Sequence, residues 1–79
     1  MSNLEKYNGV FVKVFNVDES CLNADFLAET VEKWDSITQM SLINQLEDCF
    51  EIMFEIDDII NFTSYEGGKE ILKNYSVDI

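Results

Sequence analysis

The stretch "EKWDSITQMSLINQLEDCF", Glu32 to Phe50, decides the fold. Set on a helical wheel, Leu42, Ile43, Leu46 and Phe50 fall in one stripe that extends to Met53, with Gln39 and Cys49 at its margins. That spacing predicts an amphipathic helix from Ser36 to about Glu51. Ile37, Met40, Asn44, Glu47, Asp48 and Glu51 fall on the opposite side, so two apolar residues close to Ser36 face outward. Aspartate and serine are both favoured at helix starts. Two readings of the start therefore stay open. In one, Ser36 caps the helix with Gln39 as its capping-box partner; in the other, Asp35 caps, and Ser36 at the first helical position keeps its hydroxyl free.

Upstream, Leu4, Tyr7, Phe11, Val14 and Phe15 recur with helical spacing and predict a helix from about Asn3 to Asn16. The alternating Val10, Val12 and Val14, with Gly9, are a weaker signal for a strand. The next stretch, "NVDESCLNADFLAETVEKWD", mixes turn formers with Val17, Leu22, Phe26, Leu27 and Val31, and reads as a long connection tacked across the core by those apolar residues, with a short helical turn inside it. Downstream, "IMFEIDDIINF" packs in Ile52, Met53, Phe54, Ile56, Ile59, Ile60 and Phe62, with Asp57 as the N-cap of a short third helix. Thr63 and Glu66 have the spacing of a capping box for a last helix that buries Tyr65, Ile71, Leu72 and Tyr75. Gly67 and Gly68 weaken that helix by about 1 kcal/mol each relative to alanine, for no reason visible in the sequence. The expected architecture is all-α: a single domain over residues 1–79, a small four-helix bundle of three main helices and one short one, with a long loop between the first and second.

A chain of 79 residues is long enough for one core but too short to wall a deep substrate pocket, so function belongs on its surface. Sixteen acids against five lysines, with neither arginine nor histidine, give a net charge of −11. Such a surface repels nucleic-acid phosphates and anionic lipid and attracts basic proteins. The imbalance peaks over residues 36–62, which hold six acids and no cation. Cys21 and Cys49 read as free thiols in a reducing compartment. With no basic start, no leader and no long apolar run, the expectation is a cytoplasmic monomer with no membrane insertion.

Several chemistries lack their parts. Without histidine, no imidazole activates Ser36, Ser41 or a cysteine. Two distant cysteines do not complete a zinc site, and Asp57-Asp58 lacks the ligand alternation of a calcium loop. The chain is expected to catalyse nothing by itself. A phosphate on Ser36, by contrast, would lie beside a helix N-terminus, where unpaired N–H groups and the helix dipole favour an anion.

From Trp34 to Leu72 the sequence resembles the acyl carrier protein family, the phosphopantetheine-bearing carriers of fatty-acid, polyketide and nonribosomal-peptide synthesis. The resemblance is carried by Asp35, Ser36 and Ile37 as the Asp-Ser-apolar motif, by Leu42, Leu46 and Phe50 along the helix, and by the capped helix after Thr63. It implies that Ser36 receives 4′-phosphopantetheine from coenzyme A through a transferase, and that the arm then carries acyl or aminoacyl thioesters between enzymes. It assigns Asp35 a contact at the magnesium of the transferase complex, so that magnesium serves only that reaction. It further implies that Ile37 and Met40 make apolar contacts with partners while Glu47, Asp48 and Glu51 meet their lysines and arginines. Trp34, Ser41 and Cys49 depart from the housekeeping pattern and make the chain more similar to stand-alone carriers of specialised pathways. The alternative from composition alone is a non-enzymatic acidic module that binds a basic protein.

Overall fold

Helix starts in this chain are written by short polar side chains. In the computed structural model, which describes all 79 residues, the Ser2 hydroxyl accepts the Glu5 N–H while the Glu5 carboxylate accepts the Ser2 N–H. This capping box opens α1, Asn3–Phe15. α1 closes at Asn16, which takes a left-handed conformation with φ of 55°, tolerated by asparagine better than by most residues. The Lys33 ammonium donates to the Phe15 carbonyl at 3.3 Å and so satisfies one of the acceptors left free at that end. A helical turn at Glu19–Cys21 interrupts the connection that follows. α2 spans Ser36–Phe50, α3 Ile56–Asn61 and α4 Tyr65–Lys73. No strand forms from the valines of α1, and the fold is the all-α bundle expected. No helix is long and apolar enough to cross a membrane.

The core is aromatic at its centre. The Phe11 ring meets those of Tyr7, Phe15, Phe26, Trp34, Phe62 and Tyr65, with centroids 4.9 to 6.4 Å apart. Phe26 and Trp34 come from the long connection and are buried, so the loop is part of the core. Its far end is tied to the start of α4: the Ala28 N–H donates to the Thr63 carbonyl at 2.9 Å and the Tyr65 N–H to the Phe26 carbonyl at 3.0 Å. This antiparallel bridge pairs Leu27 with Ser64, which is extended at φ of −156° and ψ of 157°, and so moves the helix start one residue on. Ser64, not Thr63, is therefore the cap, accepting the Gly67 N–H at 2.9 Å.

Other expectations are corrected by packing. Leu4 is exposed and Val10 buried, because the inward row of α1 runs through Tyr7, Val10, Phe11 and Phe15. Met53 is 83% exposed. α2 ends at Glu51, which turns left-handed with φ of 55°, so the helical wheel no longer applies beyond it. Ile56 and Ile60 are also exposed, since α3 is only six residues long and turns Ile59 inward instead. Glu55 is the N-cap residue of α3, and Asp57 and Asp58 lie in its first turn, where their charge still suits the dipole. The structure also explains Gly68: a Cβ there would stand 2.2 Å from the Tyr7 hydroxyl oxygen and 2.3 Å from the Phe62 ring. Only a residue without a side chain lets α4 approach α1 this closely.

Candidate functional site

The start of α2 resolves the two readings of Asp35 and Ser36. The Asp35 carboxylate accepts the Thr38 N–H at 2.8 Å and is the cap. That hydrogen bond holds its carboxyl below the ordinary aspartate value, so it is ionised at neutral pH. Ser36 occupies the first helical position, exposed and with no part in the cap. Among the buried ring cluster, Trp34 fixes the chain two residues earlier. The serine thus stands in solvent on a backbone anchored from both sides, by an aromatic behind it and by a capped helix ahead.

Beside Ser36 runs an open groove of about 470 Å³ whose walls include Trp34, Gln39, Met40, Ile59, Ile60 and Phe62. A larger groove of about 510 Å³, between α1 and α2 at Gly9 and Cys49, shares no residue with it. The larger one carries both lysines and carboxylates and has no serine. The chemistry favours the smaller groove, where an exposed hydroxyl meets an apolar wall.

Gln39 is the residue that sequence reasoning missed. Its amide N–H groups donate to the Ile59 carbonyl at 2.9 Å and the Phe62 carbonyl at 3.0 Å. Its carbonyl oxygen accepts the Trp34 indole N–H. One side chain therefore joins the connection, α2 and the end of α3 around the groove. The sequence offered it only at the margin of the wheel and as a capping-box partner of Ser36, and the two carbonyls it holds lie 20 and 23 residues away.

The five candidate partner residues are differently placed. Ile37 is 83% and Met40 50% exposed, and Met40 shares the groove wall with Ile60. Glu47 is half-buried and turned toward its own chain, accepting the Phe54 N–H at 2.9 Å. Asp48 and Glu51 are exposed, the latter at the left-handed turn that ends α2. The outward apolar surface is wider than the sequence suggested, since Met53, Ile56 and Ile60 join Ile37 and Met40 in solvent. No group of three or more acidic or sulfur-bearing side chains is arranged to hold a metal ion. Comparison with protein-family models, with curated proteins and with solved structures returned no match.

Proposed function

We propose that this chain is a freestanding acyl or aminoacyl carrier protein, loaded at Ser36 with 4′-phosphopantetheine and serving enzymes of a specialised biosynthetic pathway. The observation that carries the reading is the division of labour at the start of α2: Asp35 caps, which leaves the Ser36 hydroxyl exposed beside an apolar groove. The residues suit the group. The phosphodiester would sit at the N-terminus of a 15-residue helix, where N–H dipoles favour an anion, and the arm would leave along a wall of Trp34, Met40, Ile59 and Ile60. Catalysis comes from the transferase, whose base takes the serine proton as the oxygen–phosphorus bond forms and the nucleotide part of coenzyme A departs. Asp35, ionised and adjacent, would contact the magnesium of that complex. Exposed Ile37 and Met40, with Asp48 and Glu51, offer partner enzymes an apolar centre with an acidic margin that suits basic docking surfaces. Glu47 contributes less, being engaged by Phe54. The free thiols of Cys21 and Cys49 fit a monomer in the reducing cytoplasm.

Incubation with coenzyme A, magnesium and a promiscuous phosphopantetheinyl transferase tests the reading by intact mass. The chain gains one phosphopantetheine and Ser36→Ala gains none. A wild-type chain left unmodified by several such transferases would refute the proposal. The net charge of −11 supports a second reading, an acidic module that occupies a basic protein. That reading requires salt-sensitive binding which survives Ser36→Ala.

A further inference from the structure

Of the three glycines, Gly67 and Gly68 are hemmed in, the first by the Ser64 hydroxyl and the second by Tyr7 and Phe62. Gly9 is not. It sits inside α1 without a positive φ, and an added Cβ would meet nothing within 4 Å. Glycine weakens a helix interior relative to alanine, yet neither packing nor backbone conformation requires it here. What it does is bare the floor of the groove between α1 and α2. Lys6, Gly9, Val10 and Lys13 form one row along α1 and face Asp48 and Cys49 of α2 across that space of about 510 Å³. Val10 is buried and Cys49 half-buried, so the floor is apolar where the glycine leaves it open.

The rim is charged in an unusual way for this chain. The two ion pairs use Lys69 and Lys73, and Lys33 holds the Phe15 carbonyl. Lys6 and Lys13 are left without an anionic partner among sixteen acids. The Glu5 carboxylate, on the same groove, is turned to the Ser2 N–H. Lys6 and Lys13 stand on one face of α1, two turns or about 10 Å apart at 1.5 Å per residue.

We propose that the α1–α2 groove is a second docking surface, and that its occupant is a helix of a partner protein with two carboxylates seven residues apart. A helix laid along the groove repeats with the same period as the row it meets, so its carboxylates reach Lys6 and Lys13 together. Over Gly9 its backbone comes close, with a small or apolar residue turned to Val10 and Cys49. Asp48, on the opposite rim, excludes an acid on that side and favours a lysine or arginine. Repulsion from the acids elsewhere is screened over about 8 Å at physiological ionic strength, whereas the two lysines meet the occupant directly. The groove shares no residue with the one at Ser36, so the proposal stands or falls apart from loading, which is read by mass.

The experiment follows amide chemical shifts of the isotopically labelled, unmodified protein at physiological ionic strength. The probe is a synthetic alanine-based helix of about 20 residues with two glutamates seven positions apart. Shifts are expected to concentrate at Lys6, Gly9, Lys13 and Cys49. Lys6→Gln with Lys13→Gln is expected to weaken binding about tenfold, the loss of two exposed pairs. Lys69→Gln with Lys73→Gln makes an equal change in net charge and is expected to leave binding unaltered. Gly9→Leu places its side chain in the open groove and is expected to weaken binding several-fold. Equal binding of a peptide of the same composition with its glutamates on opposite faces overturns the proposal. So does tighter binding of a peptide with lysines in place of the glutamates, or the absence of shifts at millimolar peptide. These peptide comparisons use the wild type alone, so they decide the matter even where a variant fails to fold.

Discussion

Gly68 and Gly9 are chemically the same residue under opposite constraints. At Gly68 an added methyl would overlap the Tyr7 hydroxyl and the Phe62 ring, both fully buried and neither able to swing away. Gly68→Ala is expected to cost about 2 kcal/mol. At Gly9 nothing lies within 4 Å of the same position, on an exposed turn of α1. Gly9→Ala should therefore stabilise by about 0.5 to 1 kcal/mol, through the smaller entropy loss of alanine in a helix. Urea titration of the two variants checks both signs, and a loss at Gly9 would contradict the space seen there. Tyr7 shows the same closeness in polar form: its buried hydroxyl donates to the Tyr65 carbonyl at 2.6 Å, and burial drives its pKa far above the ordinary phenol range. The sequence showed Gly68 only as a cost to its helix. What makes it necessary is contact with residues 61 and 6 positions away, which no local pattern encodes.

The elements themselves were more legible than their caps. α1 and α2 were readable from their apolar period within a residue, because periodicity is sampled several times along 13 or 15 residues. Caps rest on single residues, and adjacent candidates compete. Asp35 won over Ser36, Ser64 over Thr63 and Glu55 over Asp57, the second because a backbone bridge from the loop holds Ser64 in the extended conformation of a cap. The Asp35 cap has a pH signature. Its folded-state pKa is depressed below the ordinary value of 3.8, first by the Thr38 backbone N–H bond. Its stabilisation is therefore fully present above that value and is lost as pH falls through the lower folded value. The melting-temperature gap between wild type and Asp35→Ala is expected to be constant from neutral pH down to about pH 4 and to shrink below it. General relief of charge repulsion affects both proteins alike and cancels in the gap. A gap that stays constant at lower pH would contradict the cap.

Over the whole molecule, charge is poorly compensated. The two ion pairs, Lys69 with Glu66 and Lys73 with Glu70, both lie within α4, and residues 36–62 have six acids with no cation. Exposed pairs of this kind contribute little, so repulsion across α2 and α3 is met mainly by the aromatic core. Salt or divalent cations are expected to raise the melting temperature; relief of about 1 kcal/mol corresponds to about 4 to 8 °C for a domain of this size. A melting point indifferent to ionic strength would contradict that balance. The sequence by itself determined the four helices, the tacked-down loop, the acidic surface and the candidate Asp35–Ser36 pair, because periodicity, capping chemistry and net charge are carried by the residues that show them. Tertiary structure alone decided that Gln39 braces the groove, that Glu47 turns inward and that Ile56 and Ile60 face solvent. Those outcomes depend on how the turn after α2 and a six-residue helix with no fully buried residue are held by side chains from α2 and from the turn after α4, and that orientation is a property of the packed whole.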